Sequence, residues 1–170
     1  GDGAMEEGSF YESLLFMRSV NLAMVLIIEN NEWSLGTRIK ERRADIDVEK
    51  LLTGLDIEYY SFKKNNVFNY KQSLHEIRDS VISNGRPIVV EVKLTTLGSW
   101  TEFNDGFPNG KFINYHAGPA RKLDEGLIKK FPIIEKSLSD PLYILCEYFS
   151  NTKLSEMSME MLNILKQEIE

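Results

Sequence analysis

Gly1-Asp2-Gly3-Ala4 opens the chain, and after one helical stretch comes Ala23-Met24-Val25-Leu26-Ile27-Ile28-Glu29-Asn30-Asn31-Glu32-Trp33. The reading of these two segments decides the fold. The first is a turn from a strand into a helix. Gly1 and Gly3 lack a Cβ, so the chain can reverse sharply and let an anion approach the amide groups around Gly3 and Ala4. The second is a continuous apolar run closed by polar residues, the pattern of a strand covered on both faces. It delivers Asn30 and Asn31 to its carboxyl end, where open α/β sheets bind ligands.

The residue types at these two ends suit a diphosphate held through a divalent metal. Asp2 offers a hard anionic oxygen, Asn31 a neutral amide oxygen, and the main-chain carbonyl of Trp33 a third donor. Phosphate oxygens and water would complete the near-octahedral shell that Mg2+ requires, and Ca2+ would tolerate the same donors.

Gly1-Asp2-Gly3, 26 intervening residues and then Asn30-Asn31 resemble the thiamine-diphosphate fingerprint of transketolases, deoxyxylulose-phosphate synthases and the alpha subunits of 2-oxo acid dehydrogenases. The resemblance implies the thiamine-diphosphate-binding fold, an α/β domain whose parallel sheet carries helices on both faces. It implies that Gly1, Asp2, Gly3, Ala4 and Asn31 meet the cofactor, thiamine diphosphate, and that Asp2, Asn31 and the Trp33 carbonyl ligate Mg2+. The pattern Gly-Asp-Gly-x-x-x-Glu-Gly-x-x-x-Glu is transketolase-like. By that likeness Glu7 and Glu12 are catalytic candidates near the subunit interface between two cofactor sites; an acidic helix start favoured by the dipole is the other reading, for Glu6 above all.

Two further segments extend the resemblance. Tyr115-His116-Ala117-Gly118-Pro119 is similar to the transketolase loop in which a histidine is followed closely by Gly and Pro, although Ala and Gly stand here in exchanged order. The likeness implies that His116 sits over the diphosphate or the substrate, where an imidazole can donate to a phosphate oxygen or move a proton. The Ser139-Asp140-Pro141 helix start and the terminal helix resemble the tail of the 2-oxo acid dehydrogenase alpha subunits. The paired-histidine loop of those subunits is replaced by residues 98–101.

Composition narrows the alternatives. The 170 residues fit one domain, with 42% hydrophobic and 27% charged residues. A net charge of −6 and the lack of a basic stripe with interleaved aromatics argue against nucleic acid. Lys40, Arg42 and Arg43 form the one tight basic cluster, which reads as a solvated loop. Cys146 is the single cysteine, so no intrachain disulfide forms, and its place on an apolar helix face suits a core residue. No stretch approaches the ~20 apolar residues of a membrane span. A cytoplasmic protein is the expectation.

Taken in order, the chain alternates. Residues 6–21 read as a helix with Phe10, Leu14 and Met17 on one face, beside Tyr11 and Leu15. Residues 23–28 form a strand and residues 34–44 a charged loop. Asp45 or Asp47 caps a short helix that ends at Gly54. A strand at 57–62, a helix at 70–83 with Leu74, Ile77, Val81 and Ile82 inward and Gly85 as its stop, and a strand at 87–94 follow. His75 falls on that helix as a surface or boundary residue. This rhythm predicts a parallel sheet with right-handed crossovers.

Residues 95–124 lose the pattern and read as a long functional or mobile loop. Residues 139–170 return to helix, with Asp140 as cap, Pro141 at the first position and Leu142, Leu145 and Phe149 buried. A last helix from Ser155 carries Met161, Leu162, Leu165 and Ile169 on one side. Residues 1–170 thus form a single diphosphate-binding domain. The turn at Gly1 needs a strand to launch it, so an upstream part is expected.

Function follows from the resemblance. The activating glutamate of this superfamily lies on a pyrimidine-binding domain or beta-type subunit, so activity requires that partner, in a dimer or heterotetramer. A transketolase-like transfer of a two-carbon ketol unit from a ketose is the first reading. The decarboxylating alpha subunit of a 2-oxo acid dehydrogenase is the alternative, and a non-catalytic assembly module with the same fold is a third.

Overall fold

The computed structural model describes residues 1–34, 37–94, 100–113, 138 and 140–169. His116, Gly36, Gly98, Gly118 and Ser139 lie outside the described residues.

The chain opens with a 3-10 turn, Asp2–Glu6, followed by α1 (Gly8–Ser19) and β1 (Val25–Asn30). A small antiparallel hairpin, β2 (Trp33–Ser34) and β3 (Thr37–Arg38), runs straight into the one-turn helix α2 (Ile39–Arg42). Next come α3 (Val48–Gly54), β4 (Glu58–Phe62), α4 (Val67–Asn84) and β5 (Ile88–Lys93). A second hairpin pairs β6 (Trp100–Asn104) with β7 (Phe107–Ile113), and α5 (Pro141–Tyr148) and α6 (Asn151–Ile169) follow.

The main sheet is parallel, in the order β1-β5-β4. β5 is central and, apart from Lys93, buried on both faces, which is why its sequence is apolar without alternation. Helices cover both sides. Met5, Leu14, Val48 and Leu52 pack with Ile28, Ile57 and Val89 against one face, while Ile77 and Val81 of α4 pack with Ile88, Val90 and Val92 against the other. The expected α/β architecture with C-terminal helices is therefore present.

Local chemistry fixes the element ends. Asn66 Oδ1 accepts from the Phe68 and Asn69 amides to start α4, and Gly85 stops it at φ 63°, a left-handed conformation suited to glycine. Asp47 caps α3 by accepting from Lys50 N–H, and Asp140 caps α5 by accepting from the Leu142 and Tyr143 amides, with Pro141 at the first turn.

Several expectations are corrected. The helix expected at 6–21 is split, because Glu7 is extended (φ −82°, ψ 138°) between the 3-10 turn and α1. β1 lies later than residues 23–28, and Ile27 is exposed: β1 is an edge of this sheet, and alternate residues point to opposite faces. Ile82 is 64% exposed, one position past the buried Val81 and so turned off the core stripe. In α5 the fully buried residue is Ile144, and Phe149 lies beyond the helix end. α6 starts at Asn151, burying Leu154 and leaving Met161 and Leu165 exposed.

The charged stretch 34–44 contains the end of β2, then β3 and α2. Within the expected loop 95–124, residues 100–113 are a hairpin whose turn is fixed by Asn104 Oδ1 accepting from the Gly106 and Phe107 amides. Among the described residues no helix is long and apolar enough to cross a membrane.

Leu52 is fully buried where α3 meets the sheet. Leu52→Ala is expected to cost roughly 2–5 kcal/mol, read as a lower midpoint in denaturant unfolding; a change within error would show that α3 does not anchor this face.

Candidate functional site

The carboxyl end of β1 and the opening turn meet. A methyl group added at Gly1 would lie 3.7 Å from the Glu29 carbonyl oxygen. At Gly3 it would lie 2.5 Å from Ser34 Oγ and 2.7 Å from Ser34 Cβ, so only glycine lets the turn close against β2. Within the turn, Ala4 N–H donates to Gly1 C=O at 3.2 Å and Glu7 N–H to Ala4 C=O at 3.3 Å. The amide of Ala4, expected to face a diphosphate, is thus engaged inside the turn.

Asp2 is 1% exposed. Burying a carboxylate this completely requires a counter-charge, and Arg42 supplies it: Nη2 donates to Asp2 Oδ2 at 2.9 Å. The same guanidinium pairs through Nη1 with Glu6, which also accepts from Arg43 Nε at 3.2 Å. Two acids of the opening turn and two arginines at the end of α2 therefore interlock. The solvated loop expected for Arg42 and Arg43 is corrected by this contact.

The second reversal is built on a buried polar network. Glu91, on β5, is 4% exposed and accepts from Asn30 Nδ2 at 2.6 Å, Tyr59 Oη at 2.5 Å and Lys93 Nζ at 2.9 Å. Burial pushes the Glu91 carboxyl up, but the hydrogen bonds from Asn30, Tyr59 and Lys93 more than offset it and hold it below the usual glutamate range. Burial and the Glu91 carboxylate raise the Tyr59 phenol to about 12, so it remains a donor.

With its Nδ2 held by Glu91, Asn30 turns Oδ1 to accept the Glu32 N–H at 3.0 Å. Glu32 adopts φ 64°, a left-handed conformation that the bond helps to hold. Asn31 Oδ1 accepts the Trp33 N–H, also at 3.0 Å. These successive Asx turns bend the chain at Asn30–Trp33 and hold the Asn31 amide and the Trp33 backbone at the carboxyl end of β1. Arg38 stacks over the Trp33 ring at 4.8 Å, and Ile39 N–H donates to Glu32 C=O at 3.1 Å, hanging α2 from the reversal.

The structure therefore brings Gly1, Asp2, Gly3 and Ala4 to the strand end that carries Asn31 and Trp33. Glu7 and Glu12 are exposed, at the break before α1 and on α1. Among the described residues no group of three or more His, Cys, Asp or Glu side chains could hold a metal ion; a cation here would draw on one carboxylate together with amide and carbonyl oxygens.

Glu91, Tyr59, Arg42 and Arg43 join the site without having been expected there. A lone glutamate in the apolar run 87–94 was the available signal for Glu91. A cavity of about 540 Å³ lined by Glu32, Arg38, Lys40 and Arg43 adjoins the reversal. Another, of about 670 Å³, lies at the amino ends of β4 and β5 around Asp56 and Arg86, the end of a parallel sheet away from ligand sites.

Residues 1–102 match the family described as Dehydrogenase E1 component. Over 93 residues the chain is 29% identical to the pyruvate dehydrogenase E1 component subunit alpha of Rickettsia prowazekii (strain Madrid E), covering 55% of this chain and 28% of that protein. The protein of the same description from Acholeplasma laidlawii is 25% identical over 105 residues, 62% of this chain and 30% of the relative. That from Mycoplasma pneumoniae (strain ATCC 29342 / M129 / Subtype 1) is 26% identical over 105 residues, 62% and 29%. The match thus spans under a third of each relative's length.

Glu91→Gln is expected to cost on the order of 1–3 kcal/mol at pH 7 by leaving a donor facing donors. The folded carboxyl binds its proton less tightly than the unfolded one, whose ordinary value is 4.5. The wild-type advantage should be complete above that pH and shrink as pH falls through the lower folded value. Paired denaturant titrations from pH 7 to 3 read this directly; a gap that does not narrow would show that the charge of Glu91 contributes nothing.

Proposed function

The chain belongs to the dehydrogenase E1 component family, and from that membership we propose that it is the diphosphate- and magnesium-binding part of an alpha-type subunit in a thiamine-diphosphate-dependent 2-oxo acid dehydrogenase. The observation that carries this reading is the family match over residues 1–102, which contains both reversals, the first with its buried Asp2.

The residues fit the cofactor. Asp2 already holds a positive group in a buried setting, so its surroundings accept a cation. Gly3 leaves no side chain over the turn. Mg2+ would be held by Asp2, by Asn31 Oδ1 and by the Trp33 carbonyl. Gly1, Gly3 and Ala4 would line the diphosphate, with Ala4 serving through its position, since its N–H stays with Gly1.

When bound, thiamine diphosphate supplies the carbon nucleophile and the electron sink for decarboxylating a 2-oxo acid. The chain's own part is to fix that group. Asp2 would offset part of the metal's charge, the Glu91–Asn30 bond would keep the Asn31–Trp33 reversal rigid, and the turn at Gly3 would set how closely phosphate approaches. The glutamate that activates the aminopyrimidine comes from a partner beta-type subunit, so the unit of activity is an oligomer with that subunit.

The relatives' descriptions support a 2-oxo acid, pyruvate foremost, over ketol transfer from a ketose. The transketolase-like reading rested on Glu7, Glu12 and His116; the first two are exposed, and His116 lies outside the described residues. A non-catalytic assembly role is disfavoured by the intact Asp2 and Asn31. We place residues 1–170 in one diphosphate-binding domain, with the segment 95–124 carrying His116 and residues 139–170 as its helical tail.

The test is reconstitution with a pyrimidine-binding partner subunit. Turnover of pyruvate with an artificial electron acceptor, and none of a ketose phosphate, is expected; the reverse pattern would replace the dehydrogenase reading with the transketolase one. In the same assembly Asp2→Ala is expected to abolish magnesium-dependent binding of thiamine diphosphate in calorimetry, and unchanged affinity would refute the metal assignment.

A further inference from the structure

The guanidinium of Arg42 stands where two different ions are expected. Through Nη2 it holds Asp2, the carboxylate assigned above to the metal. Its Nη1 lies 3.5 Å from the position of a methyl on Gly3, so the group also covers the turn that a diphosphate would approach. Its seat is imperfect: Nε is buried without a hydrogen-bond partner, a costly state for a charged donor. Asp2 cannot be left buried and unpaired, so the guanidinium has a reason to stay until another cation arrives.

We propose that Arg42 is a two-state ligand of this site, a counter-cation for Asp2 while the metal is absent and a diphosphate ligand once the metal has taken that carboxylate. This rests on the metal assignment above. A divalent ion and a guanidinium on one carboxylate repel each other, so metal binding weakens the Arg42–Asp2 pair. The freed guanidinium needs only a small movement, because it already lies over Gly3. Its planar fork of donors matches phosphate oxygens better than an ammonium does. Arg43, paired with Glu6 through Nε, keeps the end of α2 against the turn while Arg42 moves.

The assignment predicts opposite effects of one substitution, which a merely structural role would not give. In the assembly with its partner subunit, Arg42→Gln is expected to bind Mn2+ alone about ten-fold more tightly, because the internal competitor is gone. The same variant, with Mn2+ saturating, is expected to bind inorganic diphosphate about ten-fold more weakly, because a ligand is gone; both shifts lie in the usual range of coupling between sites. Arg42→Lys should return both constants part of the way toward wild type. Free Mn2+ is read by electron paramagnetic resonance and diphosphate by calorimetry.

Shifts in the same direction, or no shift in either, would overturn the proposal, and so would an effect on only one of the two ligands. The underlying metal assignment is judged separately, by Asp2→Asn. If that variant keeps wild-type Mn2+ affinity, the metal does not use Asp2, and that reading fails whatever Arg42 does.

Discussion

Nothing could be assembled at the strand ends unless those ends stopped at one level, and the parallel ladder centred on β5 sets that level. Its register puts Val25 and Glu58 both opposite Ile88, so all three strands run in step, and it puts Asn30 opposite Lys93. Glu91 then falls within reach of Asn30 on one neighbour and Tyr59 on the other. A one-residue slip of β1 would turn Asn30 to the opposite face of the sheet and leave Glu91 short of a donor in a buried setting. Hydrophobic burial of β5 and polar satisfaction at its end therefore demand the same register.

The second constraint is electrostatic. Asp2 is buried by the closing of the 3-10 turn, which only glycine at position 3 permits against Ser34. A buried carboxylate without a partner costs several kcal/mol, so this turn is stable only with a cation on Asp2. Arg42 is that cation in this conformation, and Glu6 with Arg43 extends the pairing along the turn. The features on which the proposed metal site rests are the ones that oblige the protein to place a cation on Asp2 by other means.

Much of this was legible in the chain, for reasons that differ by residue. Glycine spacing and the Asn pair mark backbone reversals, and the run at 88–93 carries strand burial directly. Gly85, Asp47 and Asp140 act within a few residues of themselves, so local chemistry reveals them. The partnership of Arg42 with Asp2 spans 40 residues and leaves no periodic trace. Ile82 was misread because apolar character alone does not say whether a face meets the core or solvent. The 100–113 hairpin did carry a local signal: Asp105-Gly106 between aromatic residues is turn chemistry, hidden by treating the whole stretch as one loop. The break at Glu7 has no counterpart in composition.

The bond from Ile39 N–H to Glu32 C=O gives the site one more property. α2 is a single turn suspended from the left-handed residue of the Asn30–Trp33 reversal, and it carries Arg42 at its far end. A displacement of the guanidinium would therefore be felt at the Glu32–Trp33 peptide, whose N–H is the one held by Asn31, and stiffening of that peptide would restrain the guanidinium in return. Linkage of this kind is reciprocal, so cation capture on one side of the reversal and anion capture on the other would behave as a single concerted event.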